Sequence, residues 1–195
     1  MASGDEKIRC FIGIKPPDEA LDALRDRREQ LREELSGARF RWVSRPNLHI
    51  TLHYLGEVHR SRLDDVIDAM NATGAASRRF DLDAACLGCF PDRHRARVVW
   101  AGFRNPSPAR GLHRRVGGEL RRRDFTLESR AFTPHVTLAR ANRQASPQEL
   151  AVAAEALRGR DGESICRFEV ASMTLFRSRP RSQGPVYTVL HRTGF

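Results

Sequence analysis

The sequence predicts an α+β fold built on antiparallel sheet. Three observations carry that prediction. Strand-like and helix-like runs follow one another without the regular βαβ rhythm of a parallel sheet. A short motif, His-x-Thr with apolar residues around it, occurs twice, 86 residues apart, each time in a strand-like run. No low-complexity stretch divides the chain, so its 195 residues and 22.1 kDa read as one unit. A chain of this length buries a substantial core without disulfides.

The elements follow in order. Ile8–Ile14 reads as a strand ended by Pro16-Pro17. Asp18 to Leu35 has helical spacing, with Leu21, Leu24, Leu31 and Leu35 on one face and Gly37 as a stop. Leu48 to Leu55 alternates as a strand. A helix is expected from Ser61, with Asp64 completing a capping box and Leu63, Val66, Ile67 and Met70 apolar. Strand-like runs follow at Phe80–Phe90 and Ala96–Phe103, joined by a turn over Pro91–His94. Pro108 to Arg123 reads as a helix weakened by Gly117-Gly118, then come strands near Phe125–Leu127 and His135–Ala139. Ser146-Pro-Gln-Glu149 is an N-cap, a proline at the first helical position and a capping glutamate, opening a helix to Leu157. Ile165–Phe176 and Val186–His191 close the chain as strands, with a turn at Gly184-Pro185.

Composition narrows the function. Hydrophobic residues make up 40%, charged residues 30%, and mean hydropathy is −0.53, the profile of a soluble globular protein. No run approaches the roughly 18 apolar residues of a membrane span. Met1–Glu6 lacks the basic start and apolar stretch of a secretion signal, so a cytoplasmic protein is expected. The formal charge of +10 favours polyanionic partners such as nucleic acid. The basic residues are almost all arginine, Lys7 and Lys15 excepted, and are spread along the chain, which a GC-rich coding sequence also produces. Cys86-Leu-Gly-Cys89 has metal-like spacing, but no second pair accompanies it and it lies in an apolar run, so the cysteines are expected as small buried hydrophobes. No metal and no cofactor is expected.

The two motifs, Leu48-His49-Ile50-Thr51-Leu52 and Pro134-His135-Val136-Thr137-Leu138, carry chemistry. In a strand, residues i and i+2 share a face. His49 and Thr51 therefore point one way and Leu48, Ile50 and Leu52 the other, and the second copy repeats the arrangement. An internal duplication in which each half supplies one His/Thr pair to a common cleft is the expected organisation. One imidazole can activate water while its twin protonates a leaving oxygen. Two threonine hydroxyls can donate to phosphate oxygens as charge builds. That is an acid–base site for phosphodiesters. His53, two residues beyond Thr51, is expected partly exposed on its strand. His59, His94, His113 and His191 have no partner motif.

The paired motifs resemble the signature of the two-histidine phosphoesterases, and the rest of the chain is similar to the bacterial RNA 2′,3′-cyclic phosphodiesterases, also called 2′-5′ RNA ligases. Further residues carry the resemblance: Arg9–Ile14 with Pro16-Pro17, Arg41-Trp-Val43, Tyr54-Leu-Gly-Glu57, Cys89-Phe-Pro91, Val99-Trp100, Thr133–Arg140, Leu175–Ser178 and Gly184–Tyr187. It implies a bilobal pseudo-twofold fold, two antiparallel sheets lining a central cleft with helices outside. It implies His49 as proton donor to the leaving ribose oxygen and His135 as proton acceptor from water; sequence alone leaves these roles interchangeable. It places Arg140 near the phosphate and Tyr54, an aromatic position, near a base. The implied activity is metal-independent opening of RNA 2′,3′-cyclic phosphate ends to 2′-phosphomonoesters, with a possible reverse 2′-5′ ligation, by a monomer without membrane attachment. The alternatives are a cyclic phosphodiesterase for another ribose cyclic phosphate, of the ADP-ribose 1″,2″ type, and a non-catalytic basic RNA-binding module. The region around Gln144 and Arg177–Arg181 are expected RNA-contacting loops.

Overall fold

Apolar periodicity of two and of 3.6 residues resolves into strands and helices much as the sequence predicts. The computed structural model describes residues 6–92, 94–160, 162–182 and 184–195. The strands among them are β1 (Lys7–Ile14), β2 (Phe40–Trp42), β3 (Ile50–His59), β4 (Phe80–Asp92), β5 (Arg95–Phe103), β6 (Val136–Ala141), β7 (Cys166–Val170), β8 (Ser172–Arg179) and β9 (Val186–Gly194). The helices are α1 (Asp18–Glu34), α2 (Leu63–Ala75), α3 (Ser107–Arg121) and α4 (Pro147–Ala156).

Every strand pairing is antiparallel, along the order β7-β4-β5-β6-β3-β1-β8-β9, with β2 attached to β6. The two expected sheets meet edge to edge at β3 and β6, whose ladder there is the single pair Ile50↔Val136. The order reads alike outward from that join. Each motif strand neighbours the first strand of its own half (β1 for β3, β5 for β6), and that first strand next pairs with a strand from the other half (β8, β4). Val170 and Ser172 end and begin strands near opposite ends of this path although only Ala171 separates them. The sheet is therefore curled so that its ends approach.

Helices cover the outside. Leu21, Leu24 and Leu31 of α1 are fully buried, as their spacing predicts. Burying each such side chain contributes about 1.5–3 kcal/mol. The cap of α4 forms as expected: Ser146 Oγ accepts from the Glu149 N–H at 3.2 Å and Glu149 accepts from the Ser146 N–H at 2.7 Å. Those hydrogen bonds hold the Glu149 carboxyl down at about 2.

Four expectations change. The Ser61 capping box does not form; a 3-10 turn over Arg60–Arg62 precedes α2, whose N-cap is Arg62, and Asp64 and Asp65 instead lie in the first turn, where the helix dipole favours them. Phe125–Leu127 is not a strand: its rings and side chains pack on the core, and Arg62 sits 4.6 Å from the Phe125 ring centre. Ile165–Phe176 is two strands, because Ala171 marks the crossing from one end of the sheet to the other, where its carbonyl accepts from the Phe195 N–H. Arg177–Arg179 belongs to β8, not to a loop. In the expected turn Pro91–His94, Arg93 lies outside the described residues. Strand β2, too short for a periodic signal, was not expected; it exists because β6 offers it a ladder.

Of the cysteines, Cys10 is buried as expected, whereas Cys86, Cys89 and Cys166 are only partly so. Cys86 and Cys89 are three residues apart in β4 and so project from opposite faces. Among the described residues no cluster of three or more His, Cys, Asp or Glu side chains is grouped to hold a metal ion. No helix among them is long and apolar enough to cross a membrane.

Candidate active site

The join between β3 and β6 builds the site. Ile50 and Val136, the middle residues of the two motifs, are each other's ladder partners and are fully buried. Their flanking residues, His49 with Thr51 and His135 with Thr137, consequently come together on the opposite face. All four line one cavity of about 420 Å³, together with Tyr54 and Arg140.

A matched irregularity places those last two. Along β3, Gly13 pairs with Thr51 but Ile12 pairs with His53, so Leu52 is an extra residue. Along β6, Trp100 pairs with Thr137 but Val99 pairs with Ala139, so Leu138 is extra in the same place. Each extra residue is a β-bulge, which interrupts the period-two alternation. Positions four after the motif histidines, His53 and Ala139, thus turn inward, and positions five after them turn toward the cavity. The burial pattern is identical in both strands from Ile50 to Tyr54 and from Val136 to Arg140: buried, partly exposed, buried, buried, exposed. His53 is accordingly buried rather than half-exposed. It packs against α3, with its Nε2–H donating to the His113 carbonyl at 2.9 Å. Gly117 makes room for it, since a Cβ there would lie 2.9 Å from His53 Nε2. The glycine that weakens α3 in sequence terms is the one that admits this ring.

The motif histidines share a tautomer. His49 Nδ1 lies 2.6 Å from the Asn47 carbonyl and His135 Nδ1 lies 2.7 Å from the Thr133 carbonyl, in both cases two residues upstream. A carbonyl only accepts, so each Nδ1 carries the hydrogen and each Nε2 the lone pair. Thr51 Oγ1 donates to His49 Nε2 at 3.0 Å. Rings hold the imidazoles in place: Phe11 (4.7 Å) and Tyr187 (5.1 Å, edge-on) for His49, Phe90 (5.0 Å, edge-on) for His135. Burial pushes His49 down to about 4, helped by the positive charge of His135 and Arg140. Burial lowers His135 as well, again with Arg140 helping.

Several wall residues were not singled out by sequence reasoning. Arg41 stands opposite Arg140 in the β2–β6 ladder and also lines the cavity. Neither makes an ion pair among the described residues, whereas surface arginines such as Arg25, Arg45 and Arg167 are matched by aspartates. Asn47 donates through Nδ2 to the Pro185 carbonyl at 2.7 Å, tying the 3-10 turn before His49 to the segment that leads into β9 and Tyr187. Arg28, buried on α1, donates to the Val43 carbonyl and anchors the cavity wall from behind. Arg9 donates to the Tyr54 hydroxyl at 2.6 Å. Of these, Arg9 and Arg41 stand in the sequence reading only among the residues that carry the family resemblance, without a role.

One buried histidine, His53, and three half-buried ones, His49, His113 and His135, set a pH dependence. His49 and His113 are pushed to about 4, and His53 and His135 are also lowered, each chiefly by burial. The unfolded chain protonates its imidazoles near the ordinary 6.5, so between that pH and about 4 it binds protons the fold refuses. Their contribution is complete above about pH 6.5 and is lost as pH falls. The lowered carboxylates, such as Asp22 and Glu149, lose theirs only below the carboxylate range. Urea melts are expected to show a lower midpoint at pH 5 than at pH 7; an unchanged midpoint would contradict imidazoles kept neutral by the fold.

Two basic imidazole nitrogens and two threonine hydroxyls, gathered under arginines free to meet an anion, define a phosphoesterase. The chain matches the family model described as LigT like phosphoesterase over residues 14–100 and 105–187, and it belongs to that family of hydrolases. An RNA 2′,3′-cyclic phosphodiesterase of Methanothermobacter thermautotrophicus is 27% identical over 184 residues, covering 93% of this chain and 96% of that protein. One of Aeropyrum pernix is 31% identical over 168 residues, covering 83% and 91%. The crystal structure of E. coli LigT complexed with 3′-AMP superposes with a TM-score of 0.74 at 26% identity, covering 97% of this chain and 99% of that one.

Proposed function

We propose that the chain opens 2′,3′-cyclic phosphate ends of RNA to 2′-phosphomonoesters without a metal. The observation that carries this reading is the pair of imidazoles in one tautomer, each lining a single cavity and each with the hydrogen on Nδ1, so that Nε2 is the nitrogen left to exchange protons. The names of the relatives supply the substrate class. His135 Nε2 takes a proton from water as its oxygen bonds to phosphorus. The bond from phosphorus to the 3′-oxygen breaks, and His49, protonated through Nε2, returns a proton to that oxygen. Thr51 and Thr137 donate to the non-bridging oxygens, where charge builds. Arg140 and Arg41 balance the phosphate charge, and Tyr54 lies beside the nucleoside.

The charges explain why one imidazole is acid and the other base. A proton on His135 lowers the affinity of His49 for another, so the pair holds one proton more readily than two. An incoming phosphate anion raises both affinities and supplies the reason for that one proton to be present. The assignment of donor and acceptor follows the family resemblance. Read backward, with a 5′-hydroxyl in place of water, the same steps make a 2′-5′ linkage. The chain is taken as a single domain of two related lobes, each bringing one motif, acting as a cytoplasmic monomer on RNA ends.

The test is turnover of adenosine 2′,3′-cyclic phosphate in EDTA, with the product isomer identified. The 2′-phosphate is expected at undiminished rate. No turnover, turnover restored only by added metal, or a 3′-phosphate product would overturn the proposal. ADP-ribose 1″,2″-cyclic phosphate in the same assay, turned over faster, would move the substrate class.

A further inference from the structure

His135 borders a second and larger chamber, of about 700 Å³, that His49 does not reach. The two chambers share Thr51, Tyr54, His135 and Arg140 as their partition. Beyond it the second chamber is walled by Phe90 and Phe132 and carries the exposed arginines Arg97 and Arg130. Glu128 is its one acidic lining residue among those described. Neither arginine makes an ion pair among the described residues. Phe90 meets the His135 ring edge-on at 5.0 Å, and Phe132 is carried one residue before Thr133, whose carbonyl fixes His135.

We propose that this chamber binds the 5′-hydroxyl end of a second RNA strand, which replaces water as the nucleophile activated by His135. The inference rests on the reading of the first chamber as the cyclic phosphate site. In-line displacement puts the nucleophile and the leaving oxygen on opposite sides of phosphorus. The nucleophile's side is that of the base, and the base opens onto both chambers, whereas the proton donor opens onto the first alone. Water needs no chamber of this size. A nucleotide does, and it also needs cations for its phosphates and aromatic surface for its base, both of which line this wall. The step balances: the 5′-oxygen bonds to phosphorus, its proton passes to His135, the bond to the 3′-oxygen breaks, and that oxygen takes a proton from His49. The product is a 2′-5′ phosphodiester with a free 3′-hydroxyl.

The experiment measures partition. Adenosine 2′,3′-cyclic phosphate is incubated with a 5′-hydroxyl RNA trinucleotide, and 2′-phosphate and 2′-5′-linked product are counted together, for the wild type and for the double variant Arg97→Ala, Arg130→Ala. Both arginines are exposed, so the variant is expected to fold. Hydrolysis should stay within about twofold while transfer falls at least about tenfold, the loss of roughly 1.4 kcal/mol of acceptor binding. Wild-type transfer should also decline with salt more steeply than variant transfer, since two phosphate contacts release counterions. Phe132→Leu should lower transfer selectively too.

Parallel loss of both products, unchanged transfer, or a wild type that hydrolyses without transferring would overturn the assignment. So would a variant defect seen only with cyclic phosphate-ended oligonucleotides and not with the mononucleotide, because the chamber would then hold the upstream part of the substrate strand. Absence of hydrolysis in the wild type would be a different failure, that of the cyclic phosphate reading itself.

Discussion

His135→Ala and His49→Ala are each expected to lower kcat for cyclic phosphate opening by at least about a hundredfold, the usual contribution of one positioned acid or base. Neither Nε2 has a replacement nearby. The buried imidazole of β3, His53, is turned away by the bulge and occupied by the His113 carbonyl. Thr51→Val and Thr137→Val should cost less, since each removes one donor rather than a proton carrier. Circular dichroism and urea melts at pH 7.5 separate lost chemistry from lost fold, because the imidazoles are neutral there in either state.

The pH profile sharpens the same expectation. The profile of kcat/KM reports the acid and base of the free enzyme. Both imidazoles lie below their ordinary value there, His49 at about 4. The base is therefore ready at neutral pH while the acid is scarce, and kcat/KM should peak below about pH 6.5 and fall on the alkaline side. The bound phosphate raises both groups, so the kcat profile should be shifted upward from that of kcat/KM. A kcat/KM optimum above pH 7.5, or a variant retaining full rate, would remove the two-histidine mechanism.

The sequence exposed the parts of this protein that depend on local pattern. Helix α1 was legible from four leucines at helical spacing, and α4 from Ser146, Pro147 and Glu149, because capping and amphipathicity are set by residues within one or two turns. The site was legible in its histidines and threonines because His-x-Thr recurs and strand geometry puts i and i+2 on one face. Positions decided by tertiary pairing were not. β2 has three residues and is a strand only because β6 lies beside it. Ser61 lost its capping role because the chain enters α2 through a 3-10 turn.

The bulges show the limit most clearly. Strict alternation from Thr51 puts His53 on the cavity side and Tyr54 on the core side; the extra residue at Leu52 reverses both. The same shift at Leu138 brings Arg140 to the cavity side. Nothing in Leu52 or Leu138 alone announces a bulge, since the extra residue is defined by what the neighbouring strands, β1 and β5, present. The matched residues Tyr54 and Arg140, one aromatic and one cationic, make the two motif strands differ where they face the cavity. An asymmetric substrate, with a nucleoside at one end and a phosphate at the other, requires such a difference.

Because the two halves of the sheet touch through one ladder pair, Ile50→Ala should damage activity as well as stability. Ile50 is fully buried, and a truncation of this kind costs about 2–5 kcal/mol. It also lies between His49 and Thr51, opposite Val136, and its carbonyl sits where a Cβ on Gly13 would come within 2.7 Å. A void at this point lets β3 shift against β6, and a displacement near 1 Å can cost roughly a hundredfold in rate. Met70 of α2 is equally buried but remote from the join, so Met70→Ala should lose comparable stability and keep kcat at temperatures where both variants are folded. Ile50→Val, which keeps the branched carbon, should restore most of kcat. The signature of positioning is a fall in kcat with little change in KM. Equal kcat for Ile50→Ala and Met70→Ala would mean that the imidazoles keep their register by other contacts, and that Ile50 supports the fold alone.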